Sequence, residues 1–314
     1  MSLPAPTALA AGALVINAFV WGVSWWPFRE LEKFGLHPLW ATALVYLLAT
    51  VMVLAWRPLA WRSLLAHPGL WLLAVASGMT NIGFNWAVTL GDVVRVVLLF
   101  YLMPAWSVLV AWALLGEKPS TASLLRLALA LAGVVIVLKT PGSPWPLPQS
   151  TADWLALMGG LCFAFTNVLL LKHGNTPSEG RMLAMFGGGT LMAGAAALAG
   201  MAAQVVPAPL LAFAGWPLAM ALCAAFLISN LALQYGAARL AASTTALVML
   251  TELLFATVSS AWLGAAELSL RTLMGGALIV LAAMLAALAP SAQPAAQADD
   301  GREPDEKLPE RKSV

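Results

Sequence analysis

Ten long apolar segments separated by short polar links are the feature that most restricts how this chain can fold. Each is 19 to 23 residues long, close to the roughly 20 residues that a helix needs to cross a bilayer. Ten such helices cannot all be interior in a 32.9 kDa globule. In lipid, each helix satisfies its own backbone hydrogen bonds. We therefore predict an all-α membrane protein with ten transmembrane helices, at residues 9–28, 38–56, 69–89, 93–115, 121–139, 152–172, 182–203, 215–236, 243–264 and 270–289.

Charge is scarce and unevenly placed along the chain. Only 10% of the residues are charged, against about 25% in soluble domains, and a third of them lie in the last 16 residues. The longest interior link, 140–150, is rich in Pro and Gly and falls near the middle of the apolar region. We predict a first five-helix unit at 1–142, a second at 143–290 and a disordered charged tail at 291–314. The net charge of +2, without a basic stripe, predicts no nucleic-acid partner.

The chain repeats itself. A shift of 149 residues places amides and aromatic residues of the third and eighth segments on one another: Asn81 on Asn230, Asn85 on Gln234 and Trp86 on Tyr235. A shift of 143 places Ser24 on Asn167 and Arg29 on Lys172. Because each unit has an odd number of helices, the second must enter the membrane upside down relative to the first. Inverted repeats of this kind are typical of transporters, which bind solutes between the halves near the midplane.

The orientation follows from the basic residues near the ends of the segments. With the N-terminus inside, the short inner loops hold seven Lys and Arg residues and the outer loops five, a small positive-inside excess. Arg29 and Lys33 after the first segment argue the other way. No basic residue precedes the first segment, so no cleavable signal peptide is predicted. We expect a protein of the cytoplasmic (inner) membrane with both termini in the cytoplasm.

Two related stretches resemble a known family. The first half carries LFYLMP at 99–104 and LGE at 115–117; the second carries LTELLF at 250–255 and LG at 263–264. These stretches resemble the EamA-type branch of the drug/metabolite transporter superfamily, and the first is similar to its amino-acid exporters, including exporters of aromatic amino acids. The resemblance implies a central cavity lined by the first, third and fourth helices of each half. The second half departs from the pattern, with Leu253 in place of Pro104 and Ala266 in place of Glu117.

The repeated amides are the first candidate site residues. Asn81 and Asn85 are one helical turn apart and face the same way, and Asn230 and Gln234 repeat the arrangement. Polar groups inside a membrane need a partner or a cavity. They could present donors and acceptors to a solute, which the resemblance favours because it places them at the cavity. They could equally form hydrogen bonds between helices.

Glu252 is the second candidate, because it lies inside an apolar segment where an unpaired charge is costly. It could couple transport to protons or contact the amine of a solute. Alternatively, it is a neutral acid hydrogen-bonded to Thr251 or to a neighbouring helix. Its repeat counterpart, Met103, cannot titrate, so any coupling would come from one half alone.

The remaining candidates are a cation and several aromatic residues. Arg95 is expected to form a local ion pair with Asp92, three residues earlier; the alternative is a clamp for a solute carboxylate. Aromatic residues inside the segments could pack against the apolar part of a solute, or simply against other helices. The candidates among them are Trp25, Trp86, Tyr101 and Tyr235.

These observations predict a secondary-active carrier that exports amino acids or similar small amphipathic metabolites by alternating access. Other solutes remain open, namely a drug-like cation, a nucleotide sugar or a sugar phosphate, as does a non-transporting membrane scaffold. An enzyme would need a polar constellation, and none is visible. No P-loop, metal-ligand spacing or cofactor motif occurs, so no metal or cofactor is predicted. The expected partners are a small-molecule solute and the lipid bilayer, with the chain a monomer or a homodimer.

Overall fold

The computed structural model describes residues 5–116, 118–139, 147–210, 212–237, 239, 248–266 and 268–287. These residues form helices and connecting turns and contain no strand. The predicted loop at 140–146, Glu117 and the tail lie outside them. The α-helices are α1 Ala5–Val23, α2 Trp25–Lys33, α3 Pro38–Trp56, α4 Ala60–Ala66, α5 Gly69–Leu90, α6 Val93–Phe100, α7 Met103–Leu115, α8 Thr121–Leu138, α9 Thr151–Lys172, α10 Ser178–Ala202, α11 Trp216–Ala237, α12 Thr251–Trp262 and α13 Leu270–Ala287.

Seven helical stretches of the described chain are long and apolar enough to cross a membrane, and the bent pair α4–α5 would make an eighth. α13 holds a shorter apolar stretch, Leu270–Leu285. α12 has 12 residues, and most of the chain just before it, 240–247, lies outside the described part. The all-helical, multi-pass membrane protein is therefore confirmed, whereas the number of ten spans stays a prediction.

Two boundaries differ from the predicted ones. The first candidate span runs from Ala8 to Lys33 through α1 and α2, past the predicted end at 28. The link after the second span contains the short helix α4, which turns by 109° into α5. α4 packs against α10, where a Cβ added to Gly180 would lie 2.5 Å from the Ser63 hydroxyl.

The fourth span is broken near its middle. α6 ends at Phe100, Tyr101 and Leu102 form a turn, and α7 begins with Met103 and Pro104. Proline has no N–H to donate to the carbonyl four residues earlier, so it favours a break just before it.

The second half has a turn at the equivalent position without a proline. α12 begins at Thr251, directly after a turn at Leu250, which is 149 residues beyond Tyr101. The Thr251 hydroxyl donates to the carbonyl of Val248 (2.7 Å) and so binds a backbone acceptor beside the turn. The loss of proline at Leu253 has therefore not removed the turn.

α8 and α13 pack closely in an antiparallel pair. A Cβ added to Gly133 would lie 2.6 Å from the carbonyl oxygen of Gly275, and the reverse distance is also 2.6 Å. Arg126, near the start of α8, donates to the Leu285 carbonyl near the end of α13 (3.2 Å). Arg271, near the start of α13, donates to the carbonyl just after α8 (3.1 Å). Glycine allows this close approach of two membrane helices.

Several of the other helix contacts form a regular pattern. α1 packs on α11 and α12, α9 packs on α5 and on α6–α7, α10 packs on α3 and α5, and α3 packs on α11. α6 also contacts α12. These contacts map onto one another when α1 is exchanged with α9, α3 with α10, α5 with α11, α6–α7 with α12 and α8 with α13. The same exchange relates the two halves of the sequence repeat.

Candidate functional site

The turn in the fourth span lies against the start of α12. The Tyr101 hydroxyl oxygen is 3.0 Å from Oε2 of Glu252 and 3.0 Å from the carbonyl oxygen of Met249. Tyr101 is 2% exposed and Glu252 7% exposed. Two sequence-predicted site residues are thus brought into direct contact across the boundary between the halves.

The Tyr101 hydroxyl has one proton and two acceptors within reach. If Glu252 is ionised, Tyr101 donates to its carboxylate. If Glu252 is protonated, the acid donates to the Tyr101 oxygen, and Tyr101 donates to the Met249 carbonyl. Rotation of one O–H bond therefore accommodates either protonation state of Glu252.

α1 covers the other side of this contact and runs parallel to α12. A Cβ added to Gly22 would lie 2.7 Å from the Glu252 carbonyl oxygen. One turn further along, the indole N–H of Trp25 donates to the Ser259 hydroxyl (3.0 Å). Trp25 is buried and its N–H is engaged, so its direct role is to hold α2 on α12.

Glu252 forms no ion pair with any described residue. The arginines of the neighbouring elements are engaged elsewhere: Arg29 donates to the carbonyls of Val88 (2.9 Å) and Gly91 (2.6 Å), and Arg95 pairs with Asp153. Along its own segment, the chain has no Lys or Arg between Arg239 and Arg271. The acid therefore lies in an apolar region with a phenol as its side-chain hydrogen-bond partner.

A row of aromatic rings crosses the interior of the protein and includes the residues that directly precede Tyr101 and Gly22. Phe100 precedes Tyr101 in the chain, Trp21 precedes Gly22, and Phe84 touches both rings, with centroids 4.9 Å from Phe100 and 5.9 Å from Trp21. The row continues to other helices in both directions, through Phe163 on one side and through Phe226, Tyr46 and Phe186 on the other.

The amides of α5 face α3. Tyr46 donates to Oδ1 of Asn81 (2.6 Å), and the Asn81 Nδ2 donates to the carbonyl of Ser77 (2.9 Å). Asn85 donates to the Thr42 hydroxyl (3.2 Å), while its own Oδ1 is buried without a partner. The contacts with Tyr46 and Thr42 are hydrogen bonds between helices, as in the alternative interpretation, whereas the contact with Ser77 lies within α5. Asn85 keeps one free acceptor.

The second-half candidates are more dispersed. Asn230 is half-buried, and the Gln234 side chain lies outside the described part. Tyr235 is exposed, with the Arg239 guanidinium 3.8 Å from its ring centroid, which places it near the end of α11. Trp86 is half-buried, with its ring edge on His37 at 5.4 Å.

Sequence reasoning missed Asn17, which joins α1 to α11. Its Nδ2 donates to the Ser229 hydroxyl (2.6 Å). An amide inside the first apolar segment was the signal that could have found it, although nothing repeats it in the other half.

The expected local pair of Arg95 with Asp92 is wrong. The Arg95 guanidinium binds both carboxylate oxygens of Asp153 (2.7 and 2.9 Å) and the carbonyl of Val137 (2.7 Å). Asp92 instead accepts the backbone N–H of Arg95 (2.8 Å) and so caps α6. Arg95 thus ties α6 to α8 and α9, and the donors that a solute carboxylate would need are already engaged.

Comparison with known proteins identifies the first half of the chain. The model of the EamA-like transporter family matches residues 8–139. Residues 8–139 are similar to the members of that family. The matched stretch contains Tyr101 and Arg95, whereas their partners Glu252 and Asp153 lie beyond it.

The comparison of structures covers both halves. A crystal structure of a protein aligns with 88% of this chain and 96% of its own, with a TM-score of 0.57 and 19% identity. At that identity the likeness concerns the fold alone. It shows that α9 to α13, which follow residues 8–139, belong to the same overall fold. No curated protein matches the chain.

Proposed function

We propose that this protein is a secondary-active carrier that exports amino acids or similar small amphipathic metabolites by alternating access. The observation that carries the proposal is the contact of Tyr101 with Glu252, where the turn in the fourth span of one half meets the start of α12 in the other. Discontinuous helices near the membrane midplane are where carriers of this kind build their sites. The transporter family matched by residues 8–139 supports the same conclusion.

The proposed architecture is ten spans in two inverted halves, 1–142 and 143–290. Two observations support it. Several helix contacts have a counterpart when the halves are exchanged, and the Gly133 and Gly275 distances are equal in both directions. An antiparallel α8–α13 pair is expected if the two halves enter the membrane in opposite directions. Such a pair gives the halves a common line along which they can rock.

We further propose an inner-membrane location with both termini in the cytoplasm. In this orientation the ion pair of Arg95 with Asp153 lies at the outer face. The first and third spans end at that face, and the fourth span and α9 begin there. The inner face carries the arginines of the α3–α5 and α9–α10 links, which fits the positive-inside rule.

Glu252 is the proposed coupling residue. It is buried, it can be accommodated with or without its proton, and it lies where α1, the α6–α7 turn and α12 meet. If the halves rock, these three elements separate, and the acid becomes accessible from one side. Proton uptake or release can then be linked to that movement.

Reconstitution tests the proposal. Liposomes that contain the purified protein are loaded with a panel of labelled amino acids, and efflux is compared with that from protein-free liposomes. We expect at least one compound to leave faster with protein present. Glu252→Gln should flatten the pH dependence of that efflux, while Glu179→Gln, at the start of α10 far from the turn, should leave it unchanged. If no compound crosses faster than in protein-free liposomes, the carrier proposal fails.

A further inference from the structure

We propose that Glu252 binds the ammonium group of the solute, so that the protein recognises primary amines with an apolar or aromatic body and requires no carboxylate on them. This inference rests on the carrier function proposed above and narrows its substrate class. It divides the amphipathic metabolites into those that carry an amine and those that do not.

The first step is the charge of the interior. Glu252 is a buried acid that receives one side-chain hydrogen bond, from a neutral phenol, and pairs with no described cation. An unpaired charge at this depth is costly unless a proton or a cation neutralises it. A solute ammonium supplies the missing positive charge and up to three N–H donors.

The second step is the lack of a cation for a carboxylate. The chain has no Lys or Arg at 1–28, 96–117 or 240–270, the stretches of sequence that contain α1, the α6–α7 turn and α12. Arg29 and Arg95, just outside the first two stretches or at their edge, are held by backbone carbonyls and by Asp153. A solute carboxylate at the depth of Glu252 would therefore face another carboxylate and no cation.

The third step is the surface for the rest of the solute. Phe100 and Trp21 directly precede the two residues that flank Glu252, and Phe84 connects their rings. Aromatic faces attract ammonium groups and pack against apolar bodies. The site therefore suits a molecule with an ammonium at one end and an apolar or aromatic group at the other.

The test uses two sets of three matched compounds. The indole set is tryptamine, L-tryptophan and indole-3-propionate; the aliphatic set is isopentylamine, L-leucine and isocaproate. Each set contains an amine, an amino acid and a carboxylate with nearly the same apolar body. Binding to purified protein in detergent is measured by scintillation proximity, with labelled amines and unlabelled competitors, because neutral amines leak through liposomes.

We expect the amine to bind at least as well as the amino acid in one or both sets. The carboxylate should bind at least about tenfold more weakly, as expected for loss of one charged hydrogen bond. Glu252→Gln should weaken amine binding by about tenfold or more. Tyr101→Phe leaves Glu252 in place, so the amines should still bind more tightly than the carboxylates. Glu252→Asp retains the charge and should therefore retain part of the amine binding. It keeps the inference testable if the Glu252→Gln protein does not fold.

Several outcomes separate this inference from the carrier function. If amino acids bind and cross liposomes while the amines do not bind, the ammonium inference is overturned and the carrier function stands. The same holds if the carboxylates bind as well as the amines, or if a monodisperse Glu252→Gln protein binds amines like the wild type. If none of the six compounds binds and none of the wider panel crosses, both proposals fail.

Discussion

Alanine in place of Gly133 or Gly275 tests whether α8 and α13 are related by a local two-fold axis. At each position the added Cβ would lie 2.6 Å from the carbonyl oxygen of the other glycine, against 3.4 Å or more in an ordinary contact. The helices must therefore separate by several tenths of an ångström. Overpacking of this size costs about 1–3 kcal/mol. We expect each single variant to lower the free energy of unfolding by that amount, and the two losses to agree within about 1 kcal/mol.

The double variant sharpens the test. One separation of the helices relieves both clashes, so we expect the combined loss to be smaller than the sum of the single losses by about 0.5 kcal/mol or more. Unfolding is measured by steric trapping in bicelles. Gly187→Ala and Gly12→Ala are the controls, because nothing lies within 4 Å of an added Cβ there. Unequal single losses, or strictly additive ones, would refute the reciprocal contact.

Three further predictions follow from individual contacts. Asp153→Asn should destabilise the protein by about 3–5 kcal/mol, because it leaves Arg95 without its charged partner; heating followed by size-exclusion chromatography measures the loss. Tyr46→Phe should lower stability by about 0.6–1.7 kcal/mol in the same assay while leaving amine binding intact, since its hydroxyl binds Asn81 rather than the acid site. Burial lowers the pKa of His37, whose neutral ring accepts a backbone N–H at the start of α3, so melting temperature should fall as the pH drops below about 6.5.

Each of these has its own control. The exchange of charges in Arg95→Asp with Asp153→Arg should recover part of the lost stability; no recovery would show that the pair acts through something other than charge. A loss of amine binding in Tyr46→Phe would indicate that Asn81 and Asn85 belong to the binding site. His37→Asn keeps a cap acceptor without a titrating ring, so a melting temperature that still falls equally at low pH would assign that fall to another group.

The spans could be predicted from sequence because a bilayer demands long apolar runs, and the chain supplies them. The link that contains α4 could not be interpreted in the same way. A seven-residue helix is too short to leave a hydropathy signal of its own, and its position depends on contact with α10. The turn before α12 was also hidden, because the proline that marks the turn in the first half is missing from the second.

The partners of the site residues were the harder part. Tyr101 and Glu252 were each singled out, but the repeat aligns Glu252 with Met103 and says nothing about contact with Tyr101. Which residue Tyr101 meets depends on how α6 packs against α12, and sequence alignment of the two halves does not give that packing. The partner of Arg95 was mispredicted because sequence proximity was the only guide. Asp92 is close in sequence, yet Asp153, 58 residues away, offers a buried bidentate partner.

If the two halves are related by inversion and rock as proposed, their unequal side chains favour one direction of opening. The repeat places Met103 opposite Glu252, and it places Ala10 and Thr244 opposite Asp153 and Arg95. The ion pair of Arg95 with Asp153 therefore joins the two halves at one face. At the other face the equivalent residues are Thr244 and Ala10, which cannot form an ion pair. Equal backbones allow either face to open, but the ion pair makes opening of its own face more costly. The resting protein should thus be closed at the Arg95 face, with Glu252 reached from the opposite face.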